Sequence, residues 1–375
     1  MKKKIAVVIV FVAILVLPLL SWALVSPFYT PTLEENREKA PFPSFGNDMF
    51  AQFDAYFADR APYRDTLIKL YNGVARKLGV AYENLLLKFG KTYYTEINNA
   101  LFGQDDWLFY TGDDSITYYN GTNLPTEEEL RVFVERAEKV DAYFKSQGKE
   151  FVIYVAPNKE QMYSEYMPRG IAVVNELRRL DVIYSYFKQH SDVKMVFPKA
   201  ELLAAKSQHV TYYQQDTHWN HFGGWIGAQA LFNALNMTIG EATISEIPFA
   251  GGDLATMAAL SSLAHYNDYK VDYRSDVSIN YKVSSTYEYE IESSNKNGKK
   301  LLLLGDSFRN AMREVLAKEY EYSIVNHRDT FNDGRMMREE FESATTVIFQ
   351  SVERYDYTIF SDGGLLQRFI NYYSL

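Results

Sequence analysis

Four consecutive leucines, Leu301 to Leu304, run directly into Gly305-Asp306-Ser307-Phe308-Arg309. A short run that is apolar at every position has no polar face to offer water, so it reads as a strand covered on both sides. Strands of that kind belong to parallel sheets flanked by helices, which confines the chain to the α/β class. In such sheets the ligand crevice forms from the loops at the strand C-termini, so this strand delivers Ser307 to the rim where chemistry takes place. Phe151 to Ala156 and Thr346 to Gln350 read as further buried strands.

A second stretch supplies what a serine needs. Asp216-Thr217-His218-Trp219-Asn220 places an acid and an imidazole two residues apart, and in extended backbone such residues share a face while Thr217 turns away. A serine hydroxyl becomes a useful nucleophile when a base takes its proton, and an imidazole serves as that base when an acid fixes its tautomer. Asn220 can cap a helix whose apolar face is Phe222, Trp225, Ile226 and Phe232, with Gln229 the polar exception. Taken singly these motifs are common: Asp216 and Asn220 can be plain caps, His218 a core histidine and Ser307 the polar end of a strand. Their conjunction makes Ser307, His218 and Asp216 the candidate nucleophile, base and orienting acid.

The same segments carry a resemblance. Asp216 to Asn220 and Gly305-Asp306-Ser307 are similar to the SGNH-hydrolase-like acetyltransferases of bacterial exopolysaccharide modification, the family of the alginate O-acetylation proteins AlgJ and AlgX, and to the related DHHW proteins. Shorter matches occur in the family's order: Glu35-Asn36-Arg37, Tyr63-Arg64, Asp106-Trp107-Leu108-Phe109, Pro157-Asn158-Lys159, Tyr166-Met167-Pro168, Gly252-Asp253-Leu254 and Glu353-Arg354. The chain departs from the DHHW pattern at Thr217, where that name implies histidine, so the acetyltransferase branch fits better. The resemblance implies a three-layer α/β/α SGNH-hydrolase-like fold with a mostly parallel sheet. It also implies transfer of an acetyl group to a hydroxyl of a cell-surface or secreted polysaccharide, with a membrane-bound O-acyltransferase as the partner that supplies acetyl groups. A carbohydrate esterase using the same residues and a non-catalytic glycan-binding scaffold are the alternatives.

Read in order, the chain opens with Lys2, Lys3 and Lys4 before an apolar run from Ile5 to Val25, which reads as an uncleaved single-pass anchor (1–25) holding the rest outside the cytoplasm. Ser21-Trp22-Ala23 also fits a cleavage site. A proline-bearing linker follows (26–45), then a helical extension (46–97), then the catalytic domain (98–375). In that domain Trp107 to Tyr110 reads as the strand that opens the α/β core, Thr126 to Ser146 as a helix opened by a capping box, Asn175 to His190 and Asp333 to Phe341 as helices, and Val193 to Phe197 and Tyr322 to Val325 as strands. Alternation at Val277, Ile279, Tyr281 and Val283 marks an antiparallel β insertion spanning 247–298.

The composition excludes as much as it suggests. With no cysteine, thiol catalysis, disulfides and thiolate metal sites are ruled out. A net charge of −9 argues against a nucleic-acid partner. His218, His221 and Asp216 have a spacing that could hold zinc, but no third firm ligand cluster accompanies them, and no metal or cofactor is expected. Ser307 lacks the G-x-S-x-G frame of a lipase elbow, and Asp306 is expected to brace the turn. Candidate contacts to substrate or oxyanion are Arg328, Lys159, Asn158 and Trp219. Arg328 can equally pair with Asp329 or Asp333, and Glu353-Arg354 reads as an internal ion pair supporting the rim.

Overall fold

The computed structural model describes residues 2–25, 28, 33, 35, 38–44, 46, 48–261, 265–331 and 337–375. Helices α1 (Lys2–Val25), α2 (Met49–Ala58) and α3 (Arg64–Leu87) precede a small antiparallel sheet of β1 (Thr95–Ile97), β2 (Ala100–Phe102) and β3 (Leu108–Tyr110). Next come α4 (Ser115–Asn120), α5 (Glu127–Ser146), β4 (Glu150–Ala156), α6 (Lys159–Met162), α7 (Arg179–His190), β5 (Lys194–Val196), α8 (Lys199–Ala205) and α9 (His221–Ala234). The hairpin β6 (Ala242–Ala250) and β7 (His265–Tyr273) encloses α10 (Asp253–Met257). The chain continues through β8 (Ile279–Ser284), β9 (Tyr289–Ser293), β10 (Lys300–Gly305), α11 (Arg309–Ala317) and β11 (Tyr322–His327). It ends with α12 (Arg338–Ser343), β12 (Thr346–Val352), α13 (Tyr357–Phe360) and α14 (Leu365–Tyr373).

The main sheet has the order β5-β4-β12-β10-β11-β9-β8. Its first five strands are parallel, and β9 and β8 extend the edge antiparallel. The leucine strand β10 is central, and the period of two sorts its side chains: Leu301 and Leu303 pack on one face with Val152, Trp225 and Met312. Leu302 and Leu304 pack on the other with Phe133, Phe144 and Phe369. None of the four exceeds 1% exposure, each burial worth roughly 2 kcal/mol. Helices α9 and α11 cover the first face and α5 and α14 the second, which is the three-layer sandwich expected. Thr126 opens α5 with a full capping box, its Oγ1 accepting from Glu129 N at 3.2 Å while Glu129 Oε2 accepts from Thr126 N at 2.7 Å.

Three expectations change. The strand at Leu108 to Tyr110 does not open the core sheet; it pairs with β2 in the separate small sheet. The antiparallel stretch expected over 247–298 divides in two, because β6 and β7 pair with each other while β9 registers Ile291 against Ser323 of the main sheet. The alternation in β8 and β9 was legible, but the edge they join is set by contacts distant in sequence. The helix expected from Asp333 begins at Arg338, and 332–336 lie outside the described residues. Lys2–Val25 forms one helix, several of whose side chains are outside the description; among the described residues no helix is long and apolar enough to cross a membrane.

Candidate active site

Ser307 sits two residues beyond the end of β10, exposed, at the start of the turn into α11. Asp306 braces that turn as the sequence suggests: Oδ1 accepts from Phe308 N at 3.0 Å and Gln350 Nε2 at 2.9 Å, and Oδ2 from Val352 N at 2.5 Å. With both oxygens committed to these donors, Asp306 fixes the serine's backbone instead of serving as the acid of the set.

The histidine segment is held against this turn from several sides. Tyr212 and Trp219 form an isolated antiparallel bridge, and Tyr213 N donates to His218 O at 3.1 Å. Asn220 caps α9 by accepting from Gly223 N at 2.8 Å and ties back to Val210 O at 2.7 Å. The Trp219 indole donates to Phe308 O at 2.9 Å, so the residue after the histidine is bonded to the residue after the serine.

These restraints bring the three predicted residues into one hydrogen-bonded line. His218 Nε2 lies 2.6 Å from Ser307 Oγ, and Nδ1 lies 2.7 Å from Asp216 Oδ1, which also accepts the His218 backbone N–H at 2.9 Å. Burial works to raise the Asp216 carboxyl, but the hydrogen bond and charge of His218, with the amides of Asp253 and His218, hold it down at about 2. Burial works to lower the His218 imidazole, yet Asp216 and then Asp253 outweigh it and raise it above its usual range. A cavity of about 230 Å³ opens over Ser307, lined also by Tyr213, His221, Asn310 and Arg313.

Asp253 is the functional neighbour that residue-by-residue reasoning missed. Its Oδ1 accepts from Thr217 N at 2.7 Å and its Oδ2 from Thr217 Oγ1 at 2.5 Å, and its own N–H donates to Asp216 Oδ2 at 2.9 Å. Thr217 does not turn away from the imidazole as the extended reading expects: its Oγ1 lies 3.2 Å from His218 Nδ1 while donating to Asp253, so the hydroxyl sits between the two. Burial, reinforced by the charge of Asp216, raises the Asp253 carboxyl, so of the two adjacent acids Asp216 is the one held ionised against the imidazole. The only sequence signal for Asp253 was the Gly252-Asp253-Leu254 match.

The secondary candidates separate on burial. Lys159 is 1% exposed and its Nζ donates to Leu108 O, Gln214 O and Asp216 O at 2.6, 2.8 and 2.9 Å, so it supports the acid's backbone and does not meet substrate. Burial pushes its ammonium down to about 7, against the opposing pull of Glu160, Asp216 and Asp253. Asn158 and Trp219 are likewise buried within the protein. Glu353 and Arg354 do not pair with each other as expected. Glu353 Oε2 accepts from Asn158 N at 2.9 Å, Arg354 Nη1 donates to Asn158 Oδ1 at 3.3 Å, and the two together clamp that residue. Burial raises the Glu353 carboxyl to about 8. Arg328 follows β11, whose His327 registers against Gly305, and therefore falls on the serine's rim. Its Nη1 is 3.9 Å from Asp306 Oδ2, its Nε 3.7 Å from Asp329 Oδ1, and its guanidinium lies over Tyr355. Asp333 lies outside the described residues.

The zinc arrangement weighed from the sequence does not form. His221 is drawn away by Asp268, 2.7 Å from its Nδ1. The acid and imidazole donors that do approach within 4.8 Å of one another are Asp216, His218 and Asp253. In that group His218 Nδ1 faces Asp216 Oδ1 at 2.7 Å.

The profile of a family described as SGNH hydrolase-like domain, acetyltransferase AlgX, matches residues 100–346. The chain is 25% identical over 140 residues to the probable alginate O-acetylase AlgJ of Pseudomonas putida, an alignment taking in 36% of this chain and 34% of that protein's length. A DHHW family protein from Eubacterium siraeum shares the fold with a TM-score of 0.50 at 18% identity, over 74% of this chain and 97% of that one. The O-acetyltransferase domain of Pseudomonas putida AlgJ aligns with a TM-score of 0.44 at 16% identity, over 68% of this chain and 91% of that domain. Since the profile takes in both the histidine segment and the serine turn, this chain belongs to the AlgX family of SGNH hydrolase-like acetyltransferase domains.

Proposed function

We propose that this protein is an O-acetyltransferase that works outside the cytoplasm on hydroxyl groups of a cell-surface or secreted polysaccharide, with Ser307 as nucleophile, His218 as base and Asp216 as orienting acid. The observation that carries the reading is the continuous Ser307–His218–Asp216 hydrogen-bonded line at the mouth of a cavity. Ser307 Oγ attacks the acetyl carbonyl of the donor as its proton passes to His218 Nε2. The leaving alcohol takes that proton and an acetyl-serine remains. An incoming sugar hydroxyl then gives its proton to His218, its oxygen bonds the acetyl carbon, and the Ser307 oxygen leaves and recovers the proton. Asp216, ionised throughout, keeps Nδ1 as the protonated nitrogen and stabilises the cation formed in each half.

The test is product analysis. Incubation with a small acetyl ester and candidate glycans should give a glycan product heavier by one acetyl group in a mass spectrum. Free acetate alone, with no acetylated glycan across the panel, would replace transfer by ester hydrolysis, since water and a sugar hydroxyl attack the same intermediate.

The proposal includes anchoring through residues 1–25. Ile5 to Val25 contains no ionisable residue, and a single helix has no interior through which an acetyl group could pass. A multi-spanning membrane-bound O-acyltransferase is therefore the partner proposed to bring acetyl groups across, with the anchor and linker raising the local concentration of the catalytic domain. Removal of residues 1–31 should leave small-ester turnover intact while polymer acetylation in cells falls; undiminished polymer acetylation would remove the need for tethering.

A further inference from the structure

Helix α3 is turned inside out relative to an ordinary surface helix. Its buried residues are Asp65, Asn72, Gly79 and Glu83, which recur along one side. Among its large apolar residues Leu67, Leu70, Tyr71, Leu78, Tyr82 and Leu85 lie between 49% and 71% exposed. They form a stripe on the opposite side that runs most of the helix, roughly 30 Å at 1.5 Å per residue.

The polar side fixes this orientation. Asn72 Nδ2 donates to Ala258 O at 2.6 Å, Glu83 accepts from Gly170 N and Gln104 Nε2 at 3.3 Å, and Arg76 lies 3.4 Å from Asp106. Rolling the helix to bury its leucines would strip these partners and leave an acid and an amide without them, which burial makes costly. The apolar stripe is therefore a fixed outward feature, and a contiguous patch of this kind marks a contact site.

We infer that this stripe is a membrane-contact surface, seated in the interface of an anionic lipid bilayer with the helix lying along it. Two features favour a lipid surface over a protein. First, α1 exposes apolar side chains at consecutive positions from Val7 to Val12, which places them all around its axis. A lipid phase accommodates both a helix apolar on every side and one apolar on a single side, and the two are separated by only 38 residues. Second, the chain carries a net charge of −9, yet between residues 64 and 91 there are six basic residues against two acidic ones. Both of those acids, Asp65 and Glu83, face inward, whereas Lys77, Lys88 and Lys91 are exposed. A leucine and tyrosine face with lysines at its margins is the chemistry that anionic headgroups attract. Such seating would orient the catalytic domain on the membrane, beyond the tether that the anchor provides, and it draws on the proposed lipid seating of α1 only for where the bilayer lies.

The absence of cysteine makes the test site-specific. The full chain, carrying a single environment-sensitive fluorophore at Leu70→Cys, Leu78→Cys or Leu85→Cys, is reconstituted into phosphatidylglycerol vesicles containing nitroxide lipid. Val10→Cys reports on α1 and Lys139→Cys, exposed on α5, is the soluble control. Retained small-ester turnover shows that each labelled chain is folded. Expected are blue-shifted emission and nitroxide quenching at the three α3 positions, weakened in neutral phosphatidylcholine or high salt, with neither at Lys139. Quenching at Val10 without quenching on α3 overturns the inference and leaves the anchor standing, whereas quenching at neither overturns both. Cross-linking between copies through the α3 cysteines, without lipid quenching, would assign the face to a second copy of the chain and overturn the inference too.

Discussion

Ser307→Ala and His218→Ala should each lower acetyl-ester turnover by roughly 10⁴-fold or more, and Asp216→Asn by a comparable factor, while the proteins remain folded by circular dichroism. The magnitude follows from the geometry: each residue is one link in a line in which Nε2 stands 2.6 Å from the nucleophile and Nδ1 2.7 Å from the acid, so removing any link disables the set. Combining two of the substitutions should therefore cost little more than one. The pH profile carries an independent signature. Because Asp216 raises the imidazole above its reference 6.5, the neutral base should be lost as pH falls through a value above 6.5, and kcat/KM should fall with it. In Asp216→Asn the principal raising partner is gone, so the midpoint of the residual activity should move to lower pH. Full turnover in Ser307→Ala, or a midpoint that stays put in Asp216→Asn, would sink the mechanism.

What the sequence displayed of this site and what it concealed divide along a physical line. Ser307, His218 and Asp216 were legible because local rules carry them: a strand apolar on both faces must end at a rim, an acid and imidazole two apart share a face, and Asn220 makes the next residues a helix. The brace by Asp306 was legible for the same reason. Asp253 was not, since its contact with Thr217 and Asp216 depends on how the β6–β7 hairpin folds back, across a sequence separation of 36 residues from Thr217. Lys159, Asn158 and Trp219 lie at the rim by sequence, and that position alone cannot distinguish a side chain pointing into the cleft from one pointing beneath it. Glu353 and Arg354 look like a pair because adjacent opposite charges do; the backbone instead sends both toward Asn158. The fold's layers followed from periodicity, whereas the attachment of β9 to β11 and the inverted burial of α3 arise from tertiary partners that no local pattern specifies.

The largest effect expected from a residue that performs no chemistry is at Gly252. It adopts φ 127°, in the region that side-chain-bearing residues rarely occupy, and a Cβ there would stand 2.2 Å from Gln215 O and 2.8 Å from Gln215 C. Gln215 is the residue before the orienting acid, and the same short segment supplies Asp253 N to Asp216 Oδ2 and Ala255 N to Gln215 O at 3.1 Å. Gly252→Ala must therefore push apart the two strands of backbone that aim Asp216 at His218. Neighbouring Gly251, at φ 103° with nothing within 4 Å of its virtual Cβ, shares the backbone strain without the collision. Both Gly→Ala variants should lose about 1 to 3 kcal/mol of stability from the strained dihedral. Only Gly252→Ala should also lose roughly 10²-fold in kcat, the scale associated with misplacing a catalytic group by about 1 Å. Thermal unfolding and small-ester kinetics on the pair separate the two effects. If the variants lose stability and turnover in parallel, the close approach of Gly252 to Gln215 is not what aims the acid, and its placement rests instead on Lys159 and Asp253.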